Sequence, residues 1–533
     1  MVQYSTYQPR GARPSARSRS EGPRFKKFVI FITFLIAAGA VIFVLLKVIR
    51  HEIVIIPSTA TYDSSLTNEE KSSLENIFSE QKLAHDVTIS AESDTTYTKS
   101  ASYDTLLYDI LIPVTGFYNP KQDITATEAK SLSLVAPEQI EPEDEKVYLL
   151  SINKLTPDVK ALSIDGDYAL DIISTEDKSL VGNTYKGAIF RILHFQSNDT
   201  TEAHDLIAEK MAKLPDETMI LSFNQTGVTA LARAMLNKLN QVGDGAYFAE
   251  QIADFLKRTD YTHISNEVSF ANDCTNSSST ALCSSPKMFE TIQAIGIDIV
   301  ELTGNHNNDW GTADNIASIE KYHANDMQTF GGGINEEEAK KPLELSKKGT
   351  NITLLGINES TSTKANGQGA SGDHPGANIY DETTTRAQIK TAKDRGDIVI
   401  VDIQYFECYC YPDDGEEMPS CDYPINGQAE FFRSIIDMGA DIVIGTQAHQ
   451  PQTYEIYNGK FIYYGTGNLF FDQVYWPGTE RSLVFSHYFY NGKLLQTRLT
   501  PTVYDRTFQT RVMTIPEAEN FLTRLVKASS KGE

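Results

Sequence analysis

The chain has 533 residues, with 71 Asp and Glu against 47 Lys and Arg and a formal net charge of -24. That length exceeds one domain and points to two or three. A balance this acidic excludes unaided binding to nucleic acid or to an anionic lipid surface, both of which would repel it.

The charge is unevenly placed. Nine Lys and Arg stand against Glu21 alone in residues 1–50, which leaves 38 basic and 70 acidic residues beyond them. Residues 1–27 are rich in Ser, Arg, Pro and Gly and are predicted to be a disordered basic tail. Residues 28–46 read FVIFITFLIAAGAVIFVLL, nineteen residues without a charge. As a helix they would span roughly 28 Å, close to the hydrocarbon thickness of a bilayer. A cleaved signal peptide has a shorter apolar run and a small-residue cleavage site, so a transmembrane helix is the reading; a buried core helix is the alternative. Arg10, Arg13, Arg17, Arg19, Arg24, Lys26 and Lys27 precede the run, and only Lys47 and Arg50 follow closely. The positive-inside rule then keeps the N-terminus cytoplasmic and places the main domains outside a cell membrane that the chain crosses once.

Residues 51–214 are expected to form a membrane-proximal α/β domain. After a short connection, a helix is predicted over 67–83, with Leu74, Ile77 and Phe78 at helical spacing. The run LLYDILIPVTGFY (106–118) reads as a strand, and the Pro- and acid-rich stretch 137–146 as a solvated loop. Residues 147–155 and 160–173 alternate apolar and polar like strands, and 201–213 look helical. A boundary falls near 214–216. From 216 to 500 strands and helices alternate: TMILSF (218–223), a helix over 227–239, THISNEVSF (262–270), IDIVELT (297–303), NITLLGIN (351–358), DIVIVDIQYF (397–406) and ADIVIGT (440–446). Short β-branched runs separated by helical stretches indicate βα units. YEIYNGKFIYYG and LVFSHYFYNGKLLQTRL each place Asn-Gly between apolar runs, a strong hairpin signal. The layered α/β core is therefore expected to close with an antiparallel section, leaving 501–533 as a C-terminal segment.

All five cysteines lie beyond the apolar run. Cys274 and Cys283 flank one polar loop, and Cys408, Cys410 and Cys421 share a second. Two local disulfides and a spare thiol suit an oxidising compartment. The first bridge is read as Cys274–Cys283 and the second as involving Cys410 and Cys421, with pairing in the three-cysteine loop left open. A metal knuckle at Cys408, Cys410 and Cys421 is the alternative, weakened by the lack of a CxxC pair.

In open α/β sheets ligands gather at the carboxyl ends of strands. Five polar clusters are expected at such ends: Ser265-Asn266-Glu267, the run TGNHNNDWG (303–311), Gln404-Tyr405-Phe406-Glu407, GTQAHQPQ (445–452) and GTGNLFFD (465–472). Each residue also has a plainer reading. Asn305 and His306 could cap the next helix, and Glu267 could be a hydrogen-bonded structural acid. Gln404, Gln447 and Gln450 could bind a polar ligand through their amides or satisfy one another. Trp310, Tyr405 and Phe406 could line a pocket or fill core, His374 could reach the site from its loop, and Asp472 is read as structural.

TGNHNNDWG, GADIVIGTQAHQPQ and YYGTGNLFFD, in that order with Asn-Glu upstream, resemble the capsule-synthesis CapA family of poly-γ-glutamate capsule proteins over about residues 217–500. The resemblance implies a metallophosphatase-like four-layer sandwich, with central sheets flanked by helices. The preceding α/β unit loosely resembles the solute-binding-protein-like module found before such domains. Carried over by motif, His306 is the general acid, Glu267 an acidic ligand and catalytic partner, Asn305 a carboxamide ligand and His449 the second histidine of a GxHxH motif. Asn266, Asp309, Gln404, Gln447, Gln450 and Asn468 are assigned to substrate. In such enzymes paired divalent ions neutralise phosphate and supply hydroxide. This chain departs from the pattern in three places. No Asp follows the first strand, where it reads FNQTGVTAL; Gln404 stands where a His is usual; and Gln447 stands for the first His of GxHxH. Amide oxygens are poor ligands for zinc beside imidazole. The cofactor reading stays open between one divalent ion (Mn, Zn or Mg) and none. The resemblance implies a membrane-anchored protein that makes, processes or anchors an anionic envelope polymer beside its synthase complex. A non-catalytic polymer-binding module and a metal-dependent phosphoesterase are the alternatives.

Overall fold

The computed structural model describes residues 60–80, 86–98, 102–174, 184–197, 199–211, 219–275, 281–360, 363, 366–407, 424 and 427–529. The basic tail, the apolar run 28–46, the 214–216 boundary and Cys408, Cys410 and Cys421 lie outside these residues. Among the described residues no helix is long and apolar enough to cross a membrane.

Two sheets dominate the C-terminal part. In the first, Gln328–Phe330, Ile299–Glu301, Tyr261–Asn266 and Leu221–Gln225 run parallel, and Arg481–Tyr490, Lys493–Val503 and Arg511–Val512 continue the sheet antiparallel. In the second, Thr350–Asn358, Ile398–Gln404, Ile442–Thr446 and Lys460–Tyr463 are parallel, with Leu343–Lys347 and Tyr454–Tyr457 antiparallel at the edges.

Strand parity explains the layers. Along Ile398–Gln404 every residue is buried, because both faces are covered. Ile398 and Ile400 meet Ile299, Phe223 and Phe485 of the other sheet, while Val399, Val401 and Ile403 pack under the helices Glu382–Arg395 and Gln428–Asp437. On the first sheet Ile299 points inward and Val300 and Leu302 point to an outer layer that includes the helices Ala234–Val242, Phe289–Ala294 and Thr312–His323. The order is helix, sheet, sheet, helix: a mixed α/β sandwich of four layers.

Both Asn-Gly signals form hairpins. Asn458 and Gly459 have φ of 51° and 71°, and Asn491 and Gly492 have 49° and 70°, the positive pair that a tight two-residue hairpin turn requires. The helix expected over 227–239 is corrected. Val228–Thr229 is a short strand wedged between Tyr261–Asn266 and Asn468–Phe470, and the helix begins at Ala234. Backbone pairing on both sides of Val228 overrides its helix-like pattern. The stretch 160–173 is likewise only partly strand, since Ala169–Ile173 is helical. Residues after 500 are no loose tail: the helix Ile515–Ser529 sets Phe521, Leu522 and Leu525 into the core between the sheets.

The N-terminal part is a six-stranded sheet, ordered Ala60–Tyr62, Val87–Asp94, Ile189–Gln196, Thr105–Gly116, Tyr148–Ser151, with Val159–Ala161 also on Thr105–Gly116. One face carries the helices Asn68–Glu80 and Thr201–Lys210. The opposite face packs with Ile220 and Tyr488. Asp171 ties the two parts together by accepting from Tyr488 and pairing with Arg498.

Candidate functional site

The polar clusters come together where the carboxyl ends of both sheets meet. Parity again decides which side chains arrive. In Tyr261–Asn266, Ile264 belongs to the outer layer, so Asn266 points outward too, where its Nδ2 donates to Tyr322 Oη at 2.8 Å. Glu267, one residue on, takes the other side, where the charges of His306, Glu407 and Glu301 reach it. The loop 303–311 lies over it: Val268 bridges to His306, and Gly304 passes so close that a Cβ there would sit 2.8 Å from Glu267 Cγ. Only glycine permits that approach.

His306 and His449 are each fixed from behind. Nδ1 of His306 is 2.6 Å from Asp309 Oδ2, and Asp309 also accepts from Leu282 N at 2.8 Å and from Gln368 Nε2 at 2.7 Å. Asp309, assigned to substrate by the sequence, therefore has both oxygens engaged within the protein and acts by positioning His306. The Cys274–Cys283 disulfide closes the neighbouring loop, and Asp273 accepts from Trp310 Nε1 at 2.7 Å. Nδ1 of His449 meets Asn468 Oδ1 at 2.9 Å, while Asn468 Nδ2 donates to the carbonyl of His449 at 2.9 Å and to that of Thr479 at 3.0 Å. Asn468 is thus also a positioning residue, and it selects the His449 tautomer whose Nε2 is unprotonated.

Between the sheets the glutamines form a ladder. Gln404 Nε2 donates to Asn305 Oδ1 at 2.8 Å and to Gln447 Oε1 at 2.6 Å, and Gln447 Nε2 donates to Glu407 Oε1 at 3.1 Å. Gln447 holds its place with φ of 74°, a conformation costly for a non-glycine residue and typical of functional loops. Gln450 is buried against Gly478. Arg233, with φ of 49°, clamps Asp472 through Nε at 3.1 Å, which bears out the structural reading of that acid.

The electrostatics separate the three ionisable groups. Burial pushes the Glu267 carboxyl up to about 7; the charge of His306 opposes this, and Glu407, Glu301 and Asp309 add to it. Among the described residues neither oxygen of Glu267 has a hydrogen-bond partner, although the residue is 1% exposed. Burial opposes charge on His306, but the bond to Asp309 and the carboxyl groups of Glu267 and Glu407 outweigh it, so its pKa lies above the ordinary value. Burial draws His449 down to about 4, so it is neutral near neutral pH.

These residues do not fit the metal centre that the motifs imply. Among the described residues no three His, Cys, Asp or Glu side chains converge to hold an ion. The oxygen of Asn305 is turned onto the amide of Gln404, and the oxygen of Gln447 onto that same amide. An N–H group stands where an ion would need lone pairs.

Residues 222–473 match the model of the bacterial capsule synthesis protein family PGA_cap. Over those residues the chain is similar to the capsule-synthesis CapA family. The CapA-type domain is 24% identical over 281 residues to the capsule biosynthesis protein CapA of Bacillus anthracis, covering 51% of this chain and 65% of that one. It is 24% identical over 277 residues to the PGA biosynthesis protein CapA of Bacillus subtilis, covering 51% and 69%. The match thus spans about two thirds of the length of these relatives. Among solved structures, the NAD nucleotidase of Haemophilus influenzae aligns over 59% of this chain and 56% of its own at 11% identity, with a TM-score of 0.31, a likeness too distant to carry an argument.

Sequence reasoning missed the buried groups beneath the site. Asp402 accepts from Gln225 Nε2 at 2.8 Å and lies 3.1 Å from His263 Nε2, and His487 links Gln225 to Thr497. The signal was present: Asp402 and Glu301 interrupt apolar runs at inward positions. Among the described residues no hydrogen bond or ion pair joins His374 to Glu267, His306 or His449, while Tyr405 is buried among aromatic rings and Phe406 is exposed.

Proposed function

We propose that the CapA-type domain acts on the amide backbone of an anionic capsule polymer of the poly-γ-glutamate type, with His306 and Glu267 as an acid–base pair. One observation carries this reading: a fully buried carboxyl, neither oxygen hydrogen-bonded among the described residues, near enough to feel the charge of an imidazole that Asp309 fixes. A buried carboxyl with neither oxygen matched is costlier than the single unmatched atoms found elsewhere in the interior, which supports a ligand there. His306 donates from Nε2 to the departing nitrogen, and ionised Glu267 takes the proton of the attacking water or amine. A folded-state value of about 7 suits Glu267 to that exchange near neutral pH. The sandwich fold is read as metallophosphatase-like in descent, with the metal chemistry given up. Protonated His306 supplies positive charge to the polymer that the acidic chain lacks elsewhere.

The same proposal places the domain outside the cell membrane, anchored by residues 28–46 beside a polymer synthase. The Cys274–Cys283 bridge supports an oxidising compartment.

The second reading is a binding module, favoured by the closed amide ladder from Asn305 to Glu407. Purified intact chain incubated with poly-γ-glutamate, with and without a chelator, separates the two. The acid–base reading expects a change in polymer length that survives chelation and falls about 100-fold or more in His306→Ala. Polymer binding without any change in length, equal in His306→Ala, selects the module; no binding at all overturns both.

A further inference from the structure

We propose that a second site, in the N-terminal sheet, binds a free α-amino acid with an aliphatic side chain. A cavity of about 850 Å³ opens there beside the Asn68–Glu80 helix, within the size range of small-molecule sites. A bulge builds its polar wall. Asp109 pairs with Arg191 but Leu107 with Ile192, so Tyr108 is an extra residue in its strand. The extra residue reverses the alternation, and consecutive Tyr108 and Asp109 both reach the cavity instead of opposite faces.

The wall contains one carboxylate in use and one in reserve. Glu70 is held by Tyr108 and Arg191, and Arg191 also donates to Tyr108 Oη at 2.9 Å, so these three form a rigid back. Asp109 is different. Its Oδ1 accepts from Ser151 Oγ at 2.7 Å and from Ile110 N at 2.8 Å, but its Oδ2 has no partner among the described residues. Lys154 lines the same cavity and makes no ion pair among the described residues; burial raises the Asp109 carboxyl above its ordinary value, and Lys154 is one of the groups that oppose this. Below them Leu111, Leu149 and Ile189 give an apolar floor, and Leu134 at the rim is left 56% exposed.

Each part asks for one chemical group. The open oxygen of Asp109 takes an ammonium, the free ammonium of Lys154 takes a carboxylate, and the floor takes an aliphatic chain. An aliphatic α-amino acid carries all three on one small molecule.

Calorimetric titration of the intact chain tests this with L-leucine, L-leucinamide and 4-methylpentanoate, the last two lacking the carboxylate and the ammonium. Saturable binding of one leucine per chain is expected, with each truncated probe about tenfold weaker or worse. Asp109→Asn should abolish leucine binding and Lys154→Met weaken it about tenfold. Lys154 is exposed, so its variant keeps the test valid even if Asp109→Asn fails to fold. No saturable leucine binding, leucinamide equal to leucine, or indifference to Lys154→Met overturns the proposal. The outcome is independent of polymer binding at the other site.

Discussion

Between the two sheets Asp402 accepts from Gln225 and faces His263 at 3.1 Å, and His487 carries the chain on to Thr497. At the carboxyl end of a strand in the same sandwich, Glu267 is as deeply buried and accepts from no group among the described residues. Both groups sit in low dielectric, where an unmatched polar atom is expensive. The interior set meets part of that cost through Gln225 and Thr497, although Asp402 Oδ2 and both ring nitrogens of His263 have no hydrogen-bond partner among the described residues. At Glu267 both oxygens of one carboxyl lack a partner among the described residues, while Asp309 and Asn468 hold the two histidines in place. Neither polar content nor a single unmatched atom therefore marks a site in this protein; a whole carboxyl without a partner at a strand's carboxyl end is what sets Glu267 apart.

The contrast is broken most severely by Asp402→Ala. Gln225 would stay buried without its acceptor and His263 without its facing carboxyl, and a loss of about 3 kcal/mol or more is expected in urea unfolding. An unchanged midpoint would mean that the interior set contributes nothing to folding.

Glu267→Gln should go the other way. The folded carboxyl titrates at about 7, against an ordinary 4.5 in the unfolded chain. Between those values the folded state keeps a proton that the unfolded state has released, so wild-type stability falls as pH rises from about 4.5 to about 7 and is level above. The variant lacks that slope and should exceed wild type at pH 8 by on the order of 3 kcal/mol, with little difference at pH 4. Parallel pH profiles for the two proteins would refute the assignment.

Gln404→Leu sharpens the comparison at smaller cost. It strips one donor from both Asn305 and Gln447, and about 1–3 kcal/mol is expected. A thermal midpoint equal to wild type would show that the ladder reforms without it.

Much of this was legible in the sequence. The TGNH loop, the final histidine of GTQAHQ and the Asn of GTGN converge because each follows a strand of a parallel set, and chain order alone places strand ends together. The helix expected at 227–239 failed because the pattern of GVTALAR cannot reveal that partners wait on both sides of Val228. Asn266 and Glu267 look equivalent in sequence, yet one residue of parity sends them to opposite faces. The roles of Asp309 and Asn468 were hidden for another reason: their partners are backbone and amide groups that no local pattern announces. The three expected ligands were individually well placed, but the long-range amide contact from Gln404 had already claimed Asn305.

The covalent bridge at Cys274–Cys283 deserves one more step. On either side of it stand Asp273, which grips Trp310, and Leu282, whose peptide nitrogen grips Asp309. The bridge therefore staples together both hands that hold the His306 turn. Reduction of the bridge would part the two segments that hold Trp310 and Asp309, and with them the turn that carries His306.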